Sequence, residues 1–317
     1  MSPDGNTVAF VERSPRRESI VVITNGVRIR ISAPPAFPLE RFGDKNVPRS
    51  LSRLRIGNAG AIFATASAEF AGAYMATRAE TFLYAGGWRR VAHPKRCPGC
   101  PDNLAIAASD SGARYAVTMD YKAFHPVHQS MFELNPRLFT SQSYVVDGTR
   151  VESLGMGEVY GFQGRYCAGY VDAFEHRSGL FPLTATIWEG TTRQSLGPGV
   201  AFDVDPSGEA VGDDRTFWDG TPHPTLWTGS HRIQLLPGVG SAFAIRERRI
   251  VGTVDGRAFG IAWPAGPKPR FFDSLAQNHR SISSAFAIGD NGRILAFQSN
   301  KSGNSRLVEL IPTGSLR

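Results

Sequence analysis

Ala201-Phe202-Asp203-Val204, a turn at Pro206-Ser207-Gly208, Ala210-Val211-Gly212, Thr225-Leu226-Trp227, a turn at Thr228-Gly229 and Arg232-Ile233-Gln234-Leu235-Leu236 follow one another in a single short segment. Each apolar run has strand length, and each tight break carries glycine beside Ser or Thr, the punctuation of antiparallel neighbours. The segment therefore encodes a small four-stranded sheet. The order recurs downstream in Ser241-Ala242-Phe243-Ala244-Ile245, Ile250-Val251-Gly252, Gly260-Ile261-Ala262-Trp263 and Arg270-Phe271-Phe272. It begins again at Ser284-Ala285-Phe286-Ala287-Ile288 and Arg293-Ile294-Leu295-Ala296-Phe297.

Working outward, two classes of tight turn alternate along the whole chain. One follows the first strand of each unit, at Pro3-Asp4-Gly5, Asn58-Ala59-Gly60, Asp110-Ser111-Gly112, Gln163-Gly164, Pro206-Ser207-Gly208, Arg246-Glu247-Arg248 and Asp290-Asn291-Gly292. The other separates the third and fourth strands, at Asn25-Gly26, Gly86-Gly87, Asp147-Gly148, Glu189-Gly190, Thr228-Gly229, Ala265-Gly266 and Thr313-Gly314. Interleaved one for one, they define seven units whose first-class turns lie about 40 to 54 residues apart, the period of a β-propeller blade. The expectation is an all-β propeller of seven blades, with six as the alternative, mostly of four antiparallel strands. The blades fall near 1–33, 51–95, 103–154, 157–198, 199–238, 239–280 and 281–317, with a linker at 34–50, in one domain. The terminal blades are incomplete: the first lacks a strand before its first turn and the last lacks a fourth strand, which leaves edges that proteins usually cover. A natural start upstream, with an export signal, is one expectation from this; N-terminal sequencing of native protein that returned Met1 excludes it.

The segments Ala-Phe-x-x-x-x-x-Gly-x-x-Val-Gly followed by Leu-Trp-x-Gly resemble the HAF repeat family of bacterial β-propeller-like proteins. Ser2-Pro3-Asp4-Gly5-Asn6-Thr7-Val8-Ala9-Phe10 resembles the WD40-like repeat of TolB-type propellers. The resemblance covers about 199–312 and the extreme N-terminus. What it implies is a fold, not an activity.

Composition agrees. The chain has 317 residues, 41% hydrophobic and 20% charged, with 34 Gly and 21 Pro set between β-branched and aromatic runs. That length is shared more easily among many small repeat cores than in one compact core. No run approaches the roughly eighteen apolar residues of a membrane helix, and the N-terminus has no signal-peptide pattern. A soluble, cytoplasmic monomer is expected as numbered, or an exported one if the start lies upstream. The net charge of +7 comes mostly from arginine scattered over strands and turns, not gathered into a stripe, so nucleic acid is not the expected partner.

Loop length has a side. In a four-stranded antiparallel blade both tight-turn classes leave one end of the strands, and the strand-two to strand-three connections leave the other. Insertions at Ala66 to Ala79, Met119 to Ser143 and Asp172 to Leu183, with a shorter segment from Asp213 to Pro224, therefore elaborate one face. Long loops on a rigid scaffold are where binding and catalysis concentrate. The candidate acid–base residues on that face are His125, His128, Asp172, His176 and His223, since imidazole beside carboxylate moves protons near neutrality. Tyr121, Arg177, Arg215, Trp218 and Asp219 are the candidate ligand-binding residues, able to hold a protein, a glycan or a small molecule. Each of these is also an ordinary solvated loop residue type.

His93, Cys97 and Cys100 have spacing compatible with three zinc ligands. Cys97 and Cys100 equally fit a local disulfide or idle thiols, and no other cofactor is implied. His125 and His128 could also share a metal. No His-Glu-x-x-His, phosphate-cradling glycine loop or Gly-x-Ser-x-Gly elbow is present. Trp188, Trp227 and Trp263 end third strands and read as packing between blades. Arg246, Arg248 and Arg249 replace glycine at one turn and read as a solvated turn, or else a minor anion site. Two functions follow: a propeller that binds a ligand or partner on its elaborated face, or a propeller enzyme, a lyase, hydrolase or cyclase, using the His and Asp residues at the channel mouth.

Overall fold

A computed structural model describes residues 1–14, 17–34, 49–57, 60–70, 76–91, 104–108, 114–119, 142–172, 182–263, 268–275, 281–300 and 305–312. They form seven small antiparallel sheets, a seven-bladed β-propeller. Blade one holds β1 (Thr7–Ser14), β2 (Arg17–Thr24) and β3 (Val27–Ser32). Blade two holds β4 (Arg49–Ile56), β5 (Ile62–Phe70), β6 (Ala76–Tyr84) and β7 (Trp88–Arg90). Blade three holds β8 (Leu104–Ala108), β9 (Arg114–Met119), β10 (Gln142–Asp147) and β11 (Arg150–Met156). Blade four holds β12 (Glu158–Gln163), β13 (Tyr166–Asp172), β14 (Leu183–Glu189) and β15 (Thr192–Pro198). Blade five holds β16 (Val200–Val204), β17 (Ala210–Asp213), β18 (Pro224–Thr228) and β19 (His231–Gln234). Blade six holds β20 (Gly240–Arg246), β21 (Arg249–Val254), β22 (Arg257–Ala262) and β23 (Arg270–Phe271), and blade seven β24 (Ser281–Ile288), β25 (Ile294–Ser299) and β26 (Ser305–Leu310). Among the described residues the first and last sheets have three strands, as the turn positions imply.

Burial grades across each sheet. In blade five every residue of β17 is buried, whereas His231 and Arg232 of β19 lie exposed. Outer strands can therefore carry charge, and charged residues there pair with oppositely charged ones elsewhere in the same blade. Arg28 and Arg30 of β3 pair with Glu12, and Arg293 with Glu309 at 3.4 Å. Such exposed pairs contribute up to about 1 kcal/mol each.

The Ala-Phe signature has a structural cause. At Phe202 the register of β16 against β17 slips, with Ala201 opposite Gly212 and Asp203 opposite Val211. The same bulge falls at Phe243 in β20 and at Phe286 in β24. A bulge adds one residue to one strand and re-aims its side chain. It also folds the first strand tightly onto the second: a Cβ on Gly212 would lie 1.8 Å from the Val200 carbonyl oxygen, and one on Gly252 would lie 2.2 Å from that of Ser241. The glycine of Val-Gly is thus a contact requirement.

By their contacts the residues fall into two compact units, Thr7–Val159 and Met1–Asn6 with Tyr160–Arg317. Within each, the cores lie between consecutive blades. In the first, Ile20 and Val22 of blade one pack with Ile62 and Phe82 of blade two. In the second, Trp227 packs with Tyr166 and Ile187 of blade four, and Trp263 backs the cluster of Leu226, Ile245 and Phe259. Trp188 and Trp227 are essentially fully buried. Met1–Asn6 packs against blade seven, where the Asp290 amide donates to the Pro3 carbonyl at 2.8 Å.

Two expectations need correction. Much of the segment Ala66 to Ala79, read as a loop, is strand: β5 and β6 stay paired out to Phe70 opposite Ala76. Alternating Ala, Thr, Ser and Glu lacks the bulk that marks a strand in sequence, yet backbone pairing needs none, and buried hydroxyls such as Thr65 and Thr81 bond across it at 2.9 Å. In blade six, β21 and β22 join through Asp255-Gly256, both at positive φ of 49° and 71°, so this blade has a two-residue hairpin in place of a loop.

Candidate functional site

Of the segments expected to elaborate one face, the one described throughout as a loop is in blade five, where the chain leaves β17 at Asp213 and returns at Pro224. Ten residues can span that gap loosely, but here they are anchored on both sides. The Thr216 carbonyl accepts the amide of Leu183 in blade four at 2.7 Å, and the Pro222 carbonyl accepts that of Gly240 in blade six at 2.9 Å. Asp213, wholly buried, receives Arg215 Nε at 2.7 Å and Nη2 at 2.5 Å, and Ser241 Oγ at 2.7 Å. The bidentate pair fixes the guanidinium plane, and the Asp213 hydrogen bonds raise the Arg215 pKa above its ordinary value.

The oriented guanidinium lies 5.7 Å from the centre of the Trp218 ring. Trp218 is 47% exposed, unusual for an indole, and its edge meets Tyr170 at 5.2 Å and a right angle. Behind it the rings continue: Tyr170 stacks on Tyr160 at 5.9 Å, Tyr160 meets Phe202 at 5.6 Å, and Phe202 meets Phe243 at 5.6 Å. Phe202 and Phe243 are the bulged residues, so the first-strand bulges of blades five and six build one end of the aromatic row. His223 sits at the other end of the same loop, half-buried, with Nδ1 3.0 Å from Asp214 Oδ1. Its backbone amide donates to the same oxygen at 3.0 Å, and Arg232 approaches Asp214 at 3.9 Å. A carboxylate beside Nδ1 sets the orientation of the ring.

Of the candidate residues, Arg215 and Trp218 come together on this loop, and His223 pairs with Asp214. Asp219 is exposed and makes no hydrogen bond to a described residue. Asp172 ends β13, its backbone opposite Leu183. His93, Cys97, Cys100, Tyr121, His125, His128, His176 and Arg177 lie outside the described residues. No three His, Cys, Asp or Glu side chains among the described residues come together as a metal site. Sequence reasoning missed Asp213, Tyr160 and Tyr170. A signal existed for Tyr160, which occupies in β12 a first-strand place like that of Phe202; nothing local marks Asp213 as the partner of a residue two positions on.

No known protein family matches this chain, and no curated protein matches it. Among solved structures it is similar to the acylaminoacyl peptidase of Pyrococcus horikoshii, at 13% identity and a TM-score of 0.58, over 99% of this chain and 51% of that one. It is also similar to dipeptidyl peptidase 4 of Porphyromonas gingivalis, at 13% identity and a TM-score of 0.42, over 96% of this chain and 49% of that one. A glucose dehydrogenase is matched at 10% identity and a TM-score of 0.39, over 98% of each chain. This chain spans about half the length of the two peptidases. At such identities the first likeness bears on fold, and the fold is the β-propeller.

Proposed function

We propose that this β-propeller is a binding module whose ligand, a glycan presenting a sugar ring, docks on the blade-five loop against Trp218. One observation carries the reading: a half-exposed indole held rigid by an anchored loop, by Tyr170 at its edge and by a guanidinium whose charge Asp213 already answers. Such a surface offers a flat apolar face with polar groups at its rim and little net charge, which suits a sugar ring better than an anionic polymer. The HAF-type character of 199–312, drawn from the segments quoted above, is part of the same reading. Titration of Trp218 fluorescence with a glycan panel tests it: saturable quenching is expected in the wild type and not in Trp218→Ala. Quenching by peptides and by no glycan would transfer the site to a protein partner.

The enzyme alternative has its own observation, the imidazole of His223 oriented by Asp214. It requires turnover that His223→Ala abolishes while Trp218 still reports binding. A variant that binds and turns over as the wild type does removes this alternative.

A further inference from the structure

We propose a second binding site on the opposite end of the strands, a pocket among the first-class turns of blades four to seven that takes a protonated amine or guanidinium group. A cavity of about 470 Å³ opens there, lined by Gln163, Asp205, Ser207, Glu247, Arg248 and Asp290. That volume is in the range of small-molecule sites. Three carboxylates against one guanidinium make it acidic in a protein whose net charge is +7.

The carboxylates differ in how far they are already occupied. Asp205 Oδ1 accepts the amides of Ser207 and Glu209 at 2.9 and 3.0 Å and the Ser207 hydroxyl at 2.6 Å, which shapes its own turn. Glu247 pairs with Arg249 at 2.5 Å. Asp290 engages only its backbone, the amide to Pro3 and the carbonyl to Arg249 Nη2 at 2.5 Å, and its carboxylate accepts no hydrogen bond from a described residue. Arg246 is committed to Asp203 at 2.7 Å and Arg249 to Glu247, which leaves Arg248 as the guanidinium set against Asp205 and Asp290 in the lining.

The independent observation is Gln163. It is 4% exposed, it lines the cavity, and its Oε1 is buried with no hydrogen-bond partner. An unmet buried acceptor costs about 1–3 kcal/mol, so native proteins keep few of them without a reason. The terminal amide torsion is soft, and a small rotation presents Oε1 to a donor in the cavity. A buried amide oxygen and an uncommitted carboxylate lining one cavity call for several N–H donors on one cationic group, which an ammonium or guanidinium supplies. Because no described trio of His, Cys, Asp or Glu comes together as a metal site, an organic cation fits this lining better than a metal ion.

Calorimetric titration of the full chain with agmatine, and separately with doubly blocked arginine amide, tests the site. At least one probe is expected to bind, and preference between them tells a free cation from a side chain on a peptide. Asp290→Asn and Gln163→Leu are each expected to weaken binding about tenfold, the loss of one hydrogen bond to a charged group. Gln163→Leu removes an unmet polar group and keeps the fold, so it serves even if the other variant does not fold. His223→Ala, on the other face, is expected to bind as the wild type. No heat from either probe, equal binding by both pocket variants, or binding of calcium chloride in place of both probes overturns the proposal.

Discussion

Gly212 shows how one missing side chain holds a blade together. Its Cβ would fall 1.8 Å from the Val200 carbonyl oxygen, and backbone cannot step aside as a flexible side chain can. Gly212→Ala is expected to lower stability by about 1–3 kcal/mol or more, read as the shift in urea midpoint. The corresponding place in blade seven, opposite Ala285, is already Ala296, wholly buried, so Ala296→Gly should cost the added chain freedom and one buried methyl, together about 2 kcal/mol. Asp290 supplies a second residue-scale test. Burial holds its carboxyl above the ordinary 3.8, with Arg246 pulling it down and Glu247 and Asp4 pushing it further up. A carboxyl raised in the native state binds its proton more tightly there than when unfolded. The stability this contributes is present below 3.8 and is lost as pH rises through the native value. Asn does not titrate, so the thermal midpoint of Asp290→Asn should gain on the wild type as pH rises from about 4; a constant difference would refute the shift.

Among the elements, the β20–β21 hairpin is the one that departs most from its sequence preference. Glu247 and Arg248 both sit at positive φ, 45° and 62°, where β-hairpin turns favour Asn and Gly. Replacing them together by Asn and Gly is expected to stabilise the protein by about 1 kcal/mol, measured by chemical denaturation. The β17–β18 loop makes the opposite case. Asp213→Asn leaves Arg215, whose side chain is 18% exposed, without its charge partner. A loss on the order of 3 kcal/mol is expected, together with a shifted Trp218 emission as the guanidinium leaves its position by the ring. Loss of stability with unchanged emission would show that Asp213 does not position the platform. The strands around these elements were readable because apolar runs and glycine turns are local signals. The paired length of β5 and β6 was not, since its residues carry no apolar stripe, and neither was the Asp255-Gly256 hairpin, because the turns that mark each unit lie at the other end of the strands.

For the whole molecule, the N-terminal hexapeptide belongs by contact with residues nearly the full chain length away. The Asp290 amide bonds to Pro3, and a Cβ on Gly5 would stand 2.1 Å from Asn291 Oδ1. Removing residues 1–6 strands that amide and should cost about 1–3 kcal/mol, seen as a lower thermal midpoint; an unchanged midpoint would show that the contact does not stabilise blade seven. Repetition is what the sequence by itself determined: seven units and, among the described residues, most of their turns and the three-stranded first and last sheets, because strand period and turn chemistry act between near neighbours. Tertiary structure alone decided which side chains meet. Trp218 on Tyr170 and Ser241 on Asp213 each join different blades, and Gln163 and Asp290 line one cavity from different blades; such arrangements depend on how neighbouring sheets pack, which no spacing within a blade records.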